Sequence, residues 1–472
     1  MSIGPHITQR LAAHVTAAQS RALSAEARDG AQRCLLDLLA ATAAGLSVTA
    51  VVAARRAAPL LFRDGSASVW FTGERLSASG AAFCNAAAAS ALDLDDGNRA
   101  ARGHPGASVI PAALAVVEET NADADALLAA IATGYDVAVA VGAERGFYAR
   151  SGMWCGFGAI AAAAFLRRTP EDQVAQAMAI YGMTAPNLQG VADGTPYPPS
   201  LGNDVKEGIP WATATALAAL PLAEAGMTGP LDMLDHAPHH RAESIAARLA
   251  GPPAINQTYF KFYCCCRHLH APIDALLAVM AEYALAPDAI DAVEVHIYRG
   301  AFNLSNRVNP ANLVDLQYSI PYCLGLVALH GPDTLLPLEE SALDRADAIA
   351  FAGKVSLHLD PEIDRRFPAE SLARVVVVAG ERRYESRLTH PHGEAFDPPT
   401  RQALEQKFSR ASGRSLDRAT QQRVIEALAR LKIGQVAPLY SVLARAAFPT
   451  DNRDRTGSAP RRSGDGNAQA RT

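Results

Sequence analysis

The feature that most constrains this chain is a change, and then a return, in the spacing of its apolar residues. Over the first 250 residues they recur three and four apart, as in Ala31, Leu35, Leu38 and Thr42 behind a capping Ser24. That is the period of a helix burying one face. Ala112–Glu119, Ala124–Ala132, Ala159–Arg167, Glu171–Tyr181 and Ala212–Ala225 repeat it. After about residue 290 the period drops to two. Val293, Val295 and Ile297 alternate with polar residues, as do Val355, Leu357 and Leu359, the mark of half-buried strands. Val375–Val378 and Arg383–Leu388, joined through Ala379-Gly-Glu-Arg382, predict a hairpin. The stripe Ile273, Leu276, Leu277 and Met280 and the run Tyr318–Leu329 predict helices between these strands. Helical spacing resumes at Thr400, with Leu404, Phe408, Val424, Leu428 and Leu431. The expected fold is therefore mainly α: a large all-α domain built from both chain ends, with a smaller α+β domain inserted. The boundaries are 1–258, 259–397 and 398–450. Residues 451–472 contain no large apolar side chain and are expected to be a disordered tail.

At 472 residues the chain is long enough for more than one core. Its formal charge of −5 opposes nucleic-acid or acidic-membrane binding, which needs a basic excess. Seven cysteines, three of them contiguous at Cys264–Cys266, make no disulfide framework. With no apolar N-terminal segment, reduced thiols and a cytoplasmic location are expected. The longest weakly polar run, Gly152–Leu166, is 15 residues, too short for a membrane span.

No phosphate-binding loop survives inspection. Gly156-Phe-Gly158-Ala-Ile-Ala161 matches a dinucleotide fingerprint formally, but no apolar strand precedes it. Cys264, Cys266, His268 and His270 would share one face of a strand, yet spacing of roughly 6.5 Å along it cannot close a tetrahedral metal site. No metal is expected. Asp235-His236-Ala-Pro-His239-His240 reads as a solvated loop.

Two signals remain. Asp93-Leu-Asp95-Asp96, followed by His104, gathers acids with an imidazole. On a helix Asp93 and Asp96 would share a face, and mutual repulsion could raise one into the range of a useful base. The bland alternative is a cap cluster neutralised by Arg99 and Arg102. Lysine usage is the second signal. Only five lysines (206, 261, 354, 407 and 432) stand beside 38 arginines. Lys206 and Lys261 lie among Gly, Pro and aromatic residues rather than on polar helix faces. A compact ammonium grips one carboxylate oxygen and can lose its proton when buried.

These segments resemble the MmgE/PrpD family, which includes 2-methylcitrate dehydratases, cis-aconitate decarboxylases and iminodisuccinate epimerase. ALDLDDGNRAARGHPGASVIPAALAVVEE, AIATGYDVAVAVG, GMWCGFGAIAAAA, NDVKEGIPWATATALAALPLAEAGMTGP, YFKFYCCCRHLHAPIDALL, DLQYSIPYCLGLVALHG and THPHGEAFDPPT follow in family order across roughly residues 85 to 400. The resemblance implies a homodimer, no metal or organic cofactor, and a small di- or tricarboxylic acid as substrate. It implies active-site positions at Asp93, His104, Lys206 and Lys261. Gly97, Ala149 and Cys266 depart from the decarboxylase pattern, where a threonine and two histidines stand. Tyr148, Arg150 and His268, with Cys266, are the expected local substitutes in substrate binding. The implied activity is that of a cofactor-independent lyase, with a hydro-lyase first. An epimerase or isomerase, a decarboxylase and a non-catalytic carboxylate-binding paralogue are the alternatives.

Overall fold

The computed structural model describes residues 4–185 and 204–447. The tail after 447, and Asn203 at the head of the Lys206 segment, lie outside them. Helices hold 58% of the described residues. Ala25–Gly45 starts where expected, with the Ser24 hydroxyl accepting a hydrogen bond from Ala27 N at 3.1 Å. It packs on Ala78–Ser90 and on Ala124–Ala143. Gly106–Thr120, Cys155–Arg167 and Ile209–Glu224 complete the dense centre, where alanines let the helix backbones approach closely.

Ala124–Ala143 is long and apolar enough to cross a membrane, a length the 15-residue run did not anticipate because Asp125 and Asp136 interrupt it. Within the protein 83% of its most apolar stretch is buried. Its hydrophobicity is thus accounted for by core packing.

The period-2 segments form one four-stranded sheet in the order Val355–Leu359, Ala292–Ile297, Ala373–Ala379, Arg382–Glu385. The first pair is parallel and the others antiparallel. Val293, Val295 and Ile297 are fully buried, as their alternation requires. The hairpin turns at Gly380, whose φ of 57° suits a residue without a Cβ. Arg267–Glu282 packs against Ala373–Ala379 and against Ile320–His330. From the C-terminal segment, Arg401–Ser412 returns to lie on Ala25–Gly45, where Lys407 meets Asp37.

Two local expectations fail. Residues 91–96 are not helical: the preceding helix ends at Ser90 and Asp93 takes φ 54°, which sends consecutive acids to different partners. His268 and His270 lie on the Arg267–Glu282 helix rather than a strand. His268 meets the Tyr298 hydroxyl at 2.7 Å and His270 the Cys265 carbonyl at 3.2 Å.

Candidate active site

The turn that closes the Ala78–Ser90 helix presents Asp93, and the short ribbon pairing Gly97–Asn98 with Thr258–Tyr259 sets what surrounds it. One arm leads through the Asn98–Gly103 bridge to His104; the other runs directly into Lys261. A third segment brings Lys206 on a tight turn. All three cations converge on a single atom, Oδ1 of Asp93. Lys261 Nζ lies 3.0 Å away, Lys206 Nζ 3.3 Å and His104 Nε2 3.3 Å. Lys261 also donates to the Asp93 carbonyl at 2.9 Å. Lys206 donates to Gln317 Oε1 at 3.0 Å and lies 3.4 Å from the Tyr318 hydroxyl. Asp93, Lys261, Lys206 and His104 are all buried.

The electrostatics follow from this crowding. Burial alone pushes the Asp93 carboxyl up, but Lys206, Lys261 and His104 together hold it well below the usual carboxylate range. Asp93 is therefore ionised and a weak base in the resting protein. Burial disfavours the Lys261 ammonium, yet Asp93 beside it raises its pKa. Burial alone would favour a neutral lysine, but the same pocket supplies the acid that favours its charged form. His104 is likewise disfavoured by burial and rescued by Asp95, 3.2 Å from its Nδ1, and by Asp93, reaching about 9. At neutral pH it carries two ring protons.

The carboxyl that is raised is Asp96, to about 7, by burial and then by the charge of Asp37. Its Oδ2 accepts from the Tyr135 hydroxyl at 2.5 Å, away from Asp93. Nor do Arg99 and Arg102 neutralise the acids. Arg99 pairs with Glu394, and Arg102 sits over the Tyr148 ring.

The backbone is held under strain where the chemistry gathers. Asp93, Lys206 and Glu207 have φ of 54°, 38° and 54°, values that disfavour side chains with a Cβ. Ser151 secures the Lys206 turn, donating from N and Oγ to Glu207 Oε2 at 3.0 and 2.6 Å. The same hydroxyl accepts from His104 N at 3.1 Å. Gly152 must lack a Cβ, which would lie 2.4 Å from the Glu207 carbonyl.

The MmgE/PrpD N-terminal domain profile matches residues 9–239, and the MmgE/PrpD C-terminal domain profile matches 263–433. The chain belongs to the MmgE/PrpD family. No curated protein matches it. Within this MmgE/PrpD protein, the four residues expected in catalysis form one cluster, while the four expected in substrate binding do not. Cys266 caps the Arg267–Glu282 helix close enough to feel the charges of Asp93, Lys261 and Lys206, and burial pushes its thiol up to about 12. His268 packs on Tyr298 and Phe367 and is lowered to about 4 by burial and by Arg99. Tyr148 is 56% exposed. Arg150 is half-buried, and neither contacts Asp93 among the described residues.

Asp95, part of the acidic signal, also touches the cluster, as do Gln317 and Tyr318, which were not singled out from the sequence although they lie in a segment that carried the resemblance. Asp93, Asp95 and His104 also offer ligand atoms within 4.8 Å of one another. Two ammoniums already on Asp93 Oδ1 oppose a divalent cation there. A cleft of 670 Å³ is lined by Asn98 and Tyr259 of the ribbon with Arg99, Arg102, Arg241 and Glu370 among others.

Proposed function

We propose that this protein is a lyase that eliminates a group next to a carboxylate in a small di- or tricarboxylic acid, with water as the first-choice leaving group. The carrying observation is the convergence of three cations on Asp93 Oδ1. Two lysines and an imidazole lie within 3.3 Å of one carboxylate oxygen, so cationic groups outnumber the single anionic atom they share. An entering substrate carboxylate supplies the missing negative charge, and the lysines clamp it where the electron pair of the broken C–H bond spreads. Asp93 then shares its cations with that carboxylate, so its pKa rises and it becomes able to take the proton. His104, charged at neutral pH, donates to the departing hydroxyl. Acid–base help of this kind contributes about 10²- to 10⁴-fold.

Elimination fits this cluster better than epimerisation, which needs a proton donor and acceptor on opposite faces. Here one imidazole serves, since Ala149 and Cys266 stand at the other two histidine positions. The same reading carries an α+β lid at 259–397 over a helical body from both chain ends, and a cytoplasmic homodimer.

The test is incubation with a panel of hydroxy-polycarboxylates, following alkene absorbance in H2O and proton exchange in D2O. An unsaturated acid from one member supports the lyase. Exchange without an alkene replaces it with an epimerase, and thermal-shift binding without turnover replaces it with a carboxylate-binding protein.

A further inference from the structure

Arg145 follows the Ala124–Ala143 helix and is 1% exposed, yet no carboxylate pairs with it among the described residues. Its Nη1 donates to the carbonyls of Ala101, at 2.7 Å, and Gly142. Nε and Nη2 are buried without a partner. The acids nearest in the chain or in space are engaged: Glu144 by Arg241 and Arg248, Glu207 by Ser151. A guanidinium does not lose its proton in proteins; the Tyr148 and Trp154 rings, 5.6 and 5.8 Å from its Cζ, offset part of its burial, but a buried charge without a counter-charge costs several kcal/mol.

Two further buried groups share its situation. Trp154 Nε1 and His240 Nδ1 are also unpartnered, although the sequence placed His240 in a solvated loop. It is 6% exposed and bridges to Arg145 through the backbone. Arg145, Trp154 and His240 line one small cavity of 20 Å³ whose remaining wall is largely apolar, with Val141, Phe157 and Met233.

The donor set identifies the occupant. Arg Nε–H, Arg Nη2–H and Trp Nε1–H can only donate, and neutral His240 can place its ring proton on Nδ1. A water there would accept from two of them and leave its own protons facing an apolar wall. A monatomic anion accepts from all and supplies the charge. The volume suits one water-sized sphere and excludes phosphate or sulfate. We propose that Arg145, Trp154 and His240 form a binding site for one small monovalent inorganic anion, a halide such as chloride. The site is separate from the Asp93 cluster and stands whatever reaction the protein performs. It anchors the segment that ends in Ser151, the hydroxyl that holds both His104 and Glu207.

The test uses the full chain, dialysed free of chloride into gluconate at fixed ionic strength. Added chloride raises Tm saturably, by roughly 1–3 °C at ten times Kd. Crystals grown in sodium bromide give an anomalous peak within hydrogen-bond distance of Arg145 Nη2 and Trp154 Nε1. Arg145→Met abolishes the chloride response. If that variant does not fold, Trp154→Phe, which removes one donor at little change in volume, weakens apparent halide affinity about 10-fold or more. Equal Tm in gluconate and chloride, an unchanged affinity in Trp154→Phe, or a bromide-free cavity in the anomalous map overturns the proposal.

Discussion

Two buried lysine–aspartate systems lie back to back in this protein, and the contrast between them separates structure from chemistry. Lys407 and Asp37, both completely buried, meet one to one at 2.5 Å. Lys407 also donates to the Leu94 carbonyl, bracing the turn that carries Asp93 and Asp95. Both residues sit in regular helices. Asp93, equally buried, meets three cations from three segments, and Asp93 and Lys206 are held at positive φ. The consequence shows in the acids. Burial and the neighbouring Asp95 charge leave Asp37 raised at about 6 in spite of Lys407, whereas the three cations around Asp93 more than offset its burial. Burial sets the penalty, and the balance of surrounding charges decides its sign. A matched pair ties the C-terminal helix to the core. A cation-rich cluster under strain is left unsatisfied until an anion arrives.

The largest expected effect comes from breaking the cluster. Asp93→Asn leaves two ammoniums and an imidazolium facing one another. Turnover should fall about 10³- to 10⁴-fold, and stability with it. Steady-state rates on the panel substrate check this, and rates within tenfold of wild type would make Asp93 a spectator. Next comes Lys407→Met, which strands a buried carboxylate and should cost about 3–5 kcal/mol by urea denaturation. Adding Asp37→Leu should recover most of that loss, because an apolar pair of similar volume replaces a buried ion pair at little cost. Turnover in this double variant should stay near wild type. A double variant as inactive as Asp93→Asn would erase the distinction between the two systems.

Much of this was legible in the sequence, and the part that was not has a common cause. The switch from helical to alternating spacing located the sheet, because period records which face is buried regardless of distant partners. Ser24, Val293 and Gly380 are local signals, and they held. Lysine scarcity and neighbours rich in Gly, Pro and aromatic residues pointed to Lys206 and Lys261, but gave no sign that Lys407 is buried too, since its partner lies 370 positions away. Nor could adjacency in the chain show that Asp93 and Asp95 meet one imidazole while the Asp96 carboxyl turns to Tyr135, since that depends on one residue at positive φ. Gly97 is similar. A Cβ there would lie 2.3 Å from the Tyr259 hydroxyl, so its departure from threonine is tied to a ring on the opposite strand.

Smaller effects sharpen the comparison. Lys206→Arg keeps the charge but replaces a point donor by a planar fork, which cannot reach Asp93, Gln317 and Tyr318 together. Turnover should drop roughly 10²-fold while Tm changes little. An unaltered kcat would remove Lys206 from the mechanism.

The smallest effect is one of pH, and here the two acids should differ in sign. Asp37 is raised from 3.8 to about 6, so between those values the folded state binds more protons than the unfolded chain. Stability from this group is present below pH 3.8 and is lost as pH rises through about 6. Asp93 is lowered, so its contribution is present above 3.8 and is lost only at lower pH. His104, raised from 6.5 to about 9, contributes fully below 6.5 and is constant over the same window. Subtracting the stability of Asp37→Leu/Lys407→Met from that of wild type at each pH therefore leaves the contributions of Asp37 and of the Asp96 it perturbs. Asp96 adds to the same sign, because it feels the charge of Asp37 and relaxes downward once that charge is gone. The difference should fall by on the order of 1–3 kcal/mol from pH 4 to 6. A flat difference would mean that Lys407 alone keeps Asp37 ionised. One cation would then be enough to offset burial, and the crowding at Asp93 would need another explanation.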